Sequence, residues 1–260
     1  MWRQEFNLNA FTLHHDHPEQ FTRCHWQKAD RVLPLWIVYR VMMASYFLAT
    51  FLYTVLPIRP DSTDESLKKY PIFLTNWTYI LETVYFQLGL IVVSRKAYKE
   101  NGKISEPMTS MPWYYRLYWV VYTIVLPGAF VVTTIFWTAV YDPVKFPMNS
   151  GNFIVHGLNS IMLLIELLLV AHPTKILHFY WPLSYAFTYV IFSLIYQLSG
   201  GTGVKGIIPI YKILDWRTPL AALGTCAFST IFLMLLHIIF AMAHMLKVWI
   251  KKKRHSNTSN

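Results

Sequence analysis

The chain has 260 residues, of which 55% are hydrophobic, 17% aromatic and only 14% charged, and its mean hydropathy is +0.34. This composition excludes a soluble domain of ordinary kind and predicts an integral membrane protein. The net charge of +10 is not carried by a polar surface with interleaved aromatic residues. We therefore expect no nucleic-acid partner and read the basic excess as membrane topology and contact with anionic lipid headgroups.

The first 32 residues form a polar arm without the apolar core of a signal peptide. The run His14-His15-Asp16-His17 offers ligands for a divalent metal, but zinc sites need ligands that neighbouring groups hold in place. A solvated arm is the favoured interpretation, and no metal or organic cofactor is predicted. Cys24 and Cys226 fit neither a disulfide framework nor a metal-ligand spacing.

Six apolar runs follow the arm, and each is about as long as a membrane-spanning helix. They cover residues 33–56, 72–94, 115–140, 153–171, 179–198 and 219–247. The sequence therefore predicts an all-α bundle of six transmembrane helices in one domain at 33–247. The arm at 1–32 precedes this domain, and a basic tail at 248–260 follows it.

Basic residues predict the orientation of this bundle. They are roughly twice as frequent in the segments on the side of the termini as in the opposite loops, which predicts that both termini are cytoplasmic. The plasma membrane and the endoplasmic reticulum remain alternatives for the membrane itself. The glycine-rich segment 199–206 lies on the outer side and is expected to cap the bundle as a flexible or re-entrant loop.

Polar side chains inside the runs are candidates for function, because hydrocarbon does not solvate them. The second and fourth runs both enter from the outer side, so Thr75 and His156 are predicted at similar depth, just below the outer surface. Asn76, Thr78 and Asn159 belong to the same layer, and Glu82 lies deeper on the face of Thr75. One interpretation is that this layer joins the two helices through interhelical hydrogen bonds.

A second predicted layer pairs Arg40 with Glu166, which both lie roughly 10 Å from the cytoplasmic boundary. A buried ion pair at equal depth is the cheapest way to carry either charge there. The alternative is that Arg40 extends to the interface while Glu166 is protonated.

Several segments resemble the rolling stone family, a group of multi-pass membrane proteins linked in insects to myoblast fusion. The resemblance covers nearly the whole chain. It is carried by residues 73–78 (FLTNWT), 136–142 (FWTAVYD), 156–160 (HGLNS), 200–202 (GGT) and 213–216 (ILDW). It implies a role in membrane or cell-fusion processes.

More remotely, the same helices are similar to the androgen-regulated membrane hydrolases that cleave fatty acid esters of hydroxy fatty acids. Those enzymes use an intramembrane threonine, which matches Thr75, and two histidines one turn apart. Here the first histidine is His156, and Asn159 stands at the second position. The resemblance implies a Thr75 nucleophile. The catalytic hypothesis then makes His156 the general base and places Asn76, Asn159 or Thr78 at the oxyanion.

Two functions therefore remain open: a membrane or cell-fusion protein with a polar intramembrane site, and an intramembrane threonine hydrolase of lipid esters. Membrane lipids are the expected partners and an acyl lipid is the candidate substrate, while the sequence identifies no protein partner. A transporter is less favoured, because only Glu82 lies near the bilayer centre and no inverted repeat is present.

Overall fold

The computed structural model describes residues 8–58, 62–101, 111–143 and 150–258. Its framework is six long helices, which we label α1 to α6 in chain order. They are α1 Pro34–Val55, α2 Leu74–Asn101, α3 Trp113–Ile135, α4 Asn159–Leu169 with its preceding turns, α5 Tyr180–Leu198 and α6 Pro219–Thr258. A short helix, Asp64–Lys68, lies between α1 and α2. The all-α prediction is confirmed, since the described part of the chain has only an isolated β-bridge, Cys24 to Val170.

Two of the helices contain wide turns close to the predicted polar layer. α3 continues into a π-helical segment, Phe136–Val140, and α4 is preceded by Ser150–Phe153 and by a second π-helical segment, Ile154–Leu158. Such segments are rare and frequently accompany functional sites, because they turn side chains away from the regular helical register. Phe136 and His156 both lie in these segments.

In the part of the chain that the structure describes, five helical stretches are long and apolar enough to cross a membrane: Pro34–Val55, Leu74–Asn101, Trp113–Val140, Gly151–Leu169 and Pro219–Arg254. The run predicted at 179–198 does form a helix of 19 residues, Tyr180–Leu198, but four tyrosines lower its mean hydropathy. The chain is thus a multi-pass membrane protein, and these five helices are its candidate spans among the described residues. A sixth span through α5, and cytoplasmic termini, stay predictions.

The helix α3 is the centre of the bundle. It packs against α2, α4, α5 and α6, while α1 packs against α2. The rings of Tyr118, Trp119 and Tyr122 are completely buried along it. Many exposed apolar side chains lie on the other helices, α6 above all, as expected where lipid replaces water as the surrounding solvent.

We call the end of the bundle that carries residues 8–33 and the last turns of α6 the terminal end, and the opposite one the loop end.

The expectation of a solvated arm is wrong for much of residues 8–33. Phe21 is only 1% exposed and stacks on His172, and His25 donates its backbone N–H to Leu169 at the end of α4. His14, Asp16 and His17 are exposed. Among the described residues, no group of three potential ligands is placed to hold a metal.

The last helix, α6, forms hydrogen bonds with both this arm and the end of α4. Lys247, in α6, donates to the carbonyls of Leu167 and Val170, both at 2.6 Å, and Lys251 donates to the carbonyl of His25. Lysine near the end of a helix stabilises the carbonyls that lack partners there. Helix α6 continues without a break beyond Lys247, so the tail predicted at 248–260 begins as part of this helix.

Candidate functional site

Thr75 lies in the first turn of α2, at the loop end, and is half-buried. The Tyr211 hydroxyl accepts a hydrogen bond from the Leu74 backbone N–H at 3.1 Å and lies close to the Thr75 side chain. Tyr211 belongs to the connection between α5 and α6, where burial raises the pKa of its hydroxyl above the usual value. This connection therefore reaches over the start of α2.

His156 is only 8% exposed, and its ring stacks face to face on Phe136 with 3.4 Å between the ring centres. Trp137 donates its indole N–H to the backbone oxygen of His156 at 2.7 Å. The Nδ1 atom of His156 is buried and has no hydrogen-bond partner among the described residues. The imidazole is therefore fixed in place by aromatic packing and not by a hydrogen bond at Nδ1.

Thr75 and His156 line the same cavity, which has a volume of about 260 Å³ and which we call the polar chamber. Thr75 and His156 both belong to the described part of the chain, and no hydrogen bond joins their side chains. Thr54, Ser66, Tyr70, Phe73, Thr75, Asn76, Phe136, Val140, Gly151, Asn152, Val155, His156, Val204 and Tyr211 line this chamber. None of these described lining residues is Asp, Glu, Lys or Arg.

A second cavity of about 120 Å³ adjoins the first, and we call it the apolar chamber. It lies between α2, α3, α5 and α6, with Gly128, Val131, Ala186 and Leu233 among its lining residues. Four residues belong to both linings: Thr75, Phe136, Val140 and Tyr211. A molecule held at this shared wall would meet hydroxyls and an imidazole on one side and hydrocarbon on the other.

The other residues of the predicted layer divide between these surroundings. Asn76 lines the polar chamber and donates to the Tyr70 carbonyl at 2.7 Å. Thr78 lines the apolar chamber and shares a 2.8 Å hydrogen bond with Tyr185.

Glu82 and Asn159 lie outside both linings. Asn159 donates to Glu82 at 3.4 Å and accepts from Thr133 at 3.2 Å, and both residues are almost completely buried. Asn159 thus ties α4 to α2 and α3. Because its amide is engaged in this way, the arrangement does not bring it to Thr75 as an oxyanion donor.

The structure brings Arg40 and Glu166 together near the terminal end, where both side chains are at most 1% exposed. Glu166 also accepts from the hydroxyls of Tyr39 and Tyr85, each at 2.6 Å. Arg40 donates to Tyr118 at 2.9 Å and lies over the ring of Trp36 at 4.4 Å. Since each carboxylate oxygen has a partner, the buried charges are matched as such groups require.

Sequence reasoning missed the contributions of Phe136 and Tyr211. Phe136 lies in the segment 136–142 that carries part of the family resemblance, but an aromatic residue in an apolar helix gives no sign that it stacks on a histidine. Tyr211 lies 136 positions after Thr75, beyond the segment 199–206 that was expected to cap the bundle. No helical periodicity connects them, so no signal in the sequence would have found this contact.

Comparisons with known proteins agree with the resemblance described above. The family model of Protein rolling stone matches residues 1–258. A curated relative, the Protein rolling stone of Drosophila melanogaster, is 30% identical over 248 residues, which cover 90% of this chain and 85% of the relative. No solved structure matches significantly. The chain belongs to the rolling stone family of membrane proteins.

Proposed function

We propose that this protein binds an amphiphilic membrane lipid in the two adjoining chambers at its loop end, and that it acts through this site in membrane or cell-fusion processes. The observation that carries the proposal is the wall of four residues shared by chambers of opposite character. Ligand sites are concave and mostly apolar, with a few well-placed polar groups. The paired chambers have these properties, and the surrounding membrane is itself a source of such ligands.

The lining of the apolar chamber supports this proposal, because three of its hydroxyls are already engaged in hydrogen bonds within the protein. Thr225 donates to the Ile213 carbonyl at 2.6 Å, and Tyr189 donates to the Ile72 carbonyl at 2.8 Å. Thr78 is bonded to Leu74 and Tyr185. Hydroxyls paired in this way do not need water, so the chamber is suited to a hydrocarbon chain.

Lipid binding in the apolar chamber can be tested with a substitution that fills this chamber. Gly128→Leu should place a side chain in the apolar chamber, because an added Cβ there meets only Thr78, at 3.7 Å. The matched control is Gly224→Leu on α6, where an added Cβ has nothing within 4 Å. The purified protein in nanodiscs is labelled with a diazirine-bearing oleoyl lipid, and the labelled peptides are identified by mass spectrometry.

We expect labelling of chamber residues such as Val131 and Ala186 in the native protein and in Gly224→Leu. The labelling should fall at least five-fold in Gly128→Leu. Equal labelling of all three proteins, or labelling confined to the outer faces of the helices, would remove the proposed lipid site. Ala186→Phe, with Ala227→Phe on the exposed face of α6 as its control, repeats the test from another helix.

The fusion role requires the protein at the plasma membrane, and the basic residues predict both termini inside the cell. Surface biotinylation of cells that express the chain tests the first requirement. Protease protection of a short tag after residue 258 tests the second. Retention in the endoplasmic reticulum would contradict a direct role in fusion while leaving lipid binding untouched.

A second candidate function is hydrolysis of a lipid ester, favoured by the common chamber of Thr75 and His156. Thr75 Oγ would attack the ester carbonyl and pass its proton to His156, which returns it to the departing alcohol; water would then release the acyl group.

A fluorophosphonate probe distinguishes the two functions, because it reacts only with an activated hydroxyl. Hydrolysis requires labelling of the native protein that is lost in Thr75→Ala and strongly reduced in His156→Ala. Thr50→Ala is a suitable control, since Thr50 is bonded to Tyr79 and lines neither chamber. Labelling that persists in Thr75→Ala, or none in the native protein, would exclude Thr75 as the nucleophile and leave the binding function.

A further inference from the structure

The connection between α5 and α6, residues 199–218, contributes to both chambers, and we call it the α5–α6 loop. Val204 lines the polar chamber, Tyr211 lines both chambers, and Ile213 and Leu214 line the apolar chamber. Among the described connections between helices, no other contributes to both linings. Displacement of this loop would therefore open both chambers at the loop end.

Two side chains of the α1–α2 connection hold the first part of the loop. The Lys69 ammonium group donates to the Tyr196 hydroxyl at 3.0 Å and to the Thr202 carbonyl and hydroxyl at 2.7 and 3.1 Å. The Glu65 carboxylate accepts from the backbone N–H of Lys205 at 2.8 Å. Glu65 and Lys69 are four positions apart at the short helix between α1 and α2, so both side chains lie on the same face.

A third attachment lies further along the loop. The Tyr211 hydroxyl accepts from the Leu74 backbone N–H at 3.1 Å, and its ring meets the edge of Phe73 with 6.0 Å between the ring centres. All three attachments thus lead to residues 65–74, the segment that enters α2. Loss of the contacts with this one segment is sufficient to release residues 199–212.

The remaining part of the loop is tied to α5 and α6 instead. Gln197, in α5, donates to Asp215 at 2.7 Å, and Thr225, in α6, donates to the Ile213 carbonyl at 2.6 Å. Residues 213–218 can therefore stay in place while residues 199–212 move.

The backbone of the loop has positions at which it can rotate. Gly200 and Gly206 have positive φ angles of 79° and 68°, and an added Cβ at either residue would meet nothing within 4 Å. Glycine changes conformation there at little steric cost. Lys205 also has a positive φ of 60°, which is unfavourable for a residue with a side chain. Its hydrogen bond to Glu65 holds it in a conformation that it would leave on release.

We propose that residues 199–212 form a gate over the two chambers, which Lys69 and Glu65 hold closed. Molecules then enter from the loop end when these two side chains let go. The inference concerns access to the cavities and does not depend on which molecule they bind. Its failure is therefore distinguishable from failure of the lipid proposal.

The two cysteines of the chain allow access to be measured. Cys226 is half-buried and lines the apolar chamber, while Cys24 lies in the arm at the terminal end. The full-length protein in nanodiscs is treated with methanethiosulfonate ethyltrimethylammonium, and modification of each cysteine is followed over time by mass spectrometry. This reagent is permanently charged and does not dissolve in hydrocarbon, so it reaches Cys226 only from the water at the loop end.

We expect Lys69→Met to increase the rate of Cys226 modification about five-fold or more. The substitution removes three hydrogen bonds between the gate and the segment before α2, and each such bond shifts an opening equilibrium by about two- to ten-fold. Lys68→Met, at the exposed neighbouring position, is the matched control and should keep the native rate. The rate at Cys24 should be the same in all these proteins.

Glu65 gives a second pair of variants. Glu65→Ala removes the acceptor of the Lys205 N–H and should increase the rate at Cys226 about two- to five-fold. Glu65→Gln retains an amide oxygen that can accept this bond, so it should restore the native rate.

Hydrogen exchange of residues 199–212 in the same variants shows whether the gate has been released. Faster exchange in Lys69→Met together with a native rate at Cys226 would overturn the proposal, because the loop would then not control access. Unchanged exchange would overturn the role of Lys69. A parallel increase at Cys24 would indicate a general loosening of the bundle and would equally overturn the gate. Loss of the lipid site in the photolabelling experiment affects neither measurement.

Discussion

The two ends of the bundle differ in the space beside their buried polar groups. Near the terminal end, Glu166 is enclosed by Arg40 and two tyrosine hydroxyls, so that each of its carboxylate oxygens has a partner, although Arg40 Nε and the ring nitrogens of His172 are buried without one among the described residues. At the loop end, Thr75 and His156 line a cavity. The first arrangement holds helices together, while the second leaves space for a ligand beside its polar groups. Buried polar groups in a membrane protein thus serve either to stabilise the fold or to bind a ligand. A cavity beside them indicates the binding role.

The largest effect is expected from opening the ion pair. Glu166→Gln leaves the Arg40 guanidinium buried without its counter-charge, and loss of one partner of a buried pair costs about 3–5 kcal/mol. Unfolding in mixed micelles of dodecylmaltoside and sodium dodecyl sulfate measures the free energy.

The double variant Arg40→Met/Glu166→Leu serves as its control. It should recover much of the lost stability, because it removes both charges together. The opposite result is a free energy of unfolding of the double variant that falls below that of Glu166→Gln by the full loss measured for Arg40→Met alone. That result would mean that the two residues act independently.

A smaller effect is expected from crowding the same region. At Gly89 an added Cβ would lie 3.2 Å from both Arg40 Nη1 and a ring atom of Tyr118. Gly89→Ala should therefore destabilise the protein by about 1–2 kcal/mol, because overpacking in a closed core outweighs the gain in helix propensity. Gly224→Ala, where the space is open, should be neutral or slightly stabilising by the same measurement.

The arm that covers the terminal end should loosen in acid. Burial, together with Lys247 and Lys251, lowers the pKa of His25 to about 4, and burial lowers that of His178 to about 4 as well. A histidine in an unfolded chain titrates near pH 6.5. The neutral histidines therefore contribute fully to docking of the arm above about pH 6.5, and this contribution is lost as the pH falls towards 4.

Hydrogen exchange of residues 8–33, corrected for intrinsic rates, should therefore show less protection at pH 5 than at pH 7.5. His25→Gln should reduce this dependence, whereas His14→Gln, at an exposed position, should leave it unchanged. Equal protection of the native arm at both pH values would show that docking does not depend on neutral histidines.

The smallest effect on stability is expected at the loop end. Phe136→Leu removes the ring that stacks on His156, a contact worth about 0.5–1.5 kcal/mol. Phe228→Leu, at a position 67% exposed on α6, controls for the loss of an aromatic ring. A loss above 3 kcal/mol in Phe136→Leu would show that the loop end is as tightly coupled to folding as the ion-pair region.

The sequence predicts the helices well, because length and apolar character are sufficient to find membrane-spanning segments. Equal depth also brings Arg40 to Glu166 and places Thr75 and His156 around one cavity. Depth does not specify rotation about a helix axis, and the π-helical segment at Ile154–Leu158 alters that rotation. For this reason Asn159 faces Glu82 and Thr133, and the role of Tyr211, which depends on a long connection, has no counterpart in any local pattern.

The contact between the arm and α6 sets an order for assembly. His25 and its partner Lys247 are separated by 222 positions, so at synthesis rates of 5–20 residues per second the arm leaves the ribosome roughly 10 to 45 seconds before its anchor. The arm cannot reach its final position during translation of the first helices. Closure of the terminal end must therefore be among the last steps of biogenesis, after the final helix has entered the membrane.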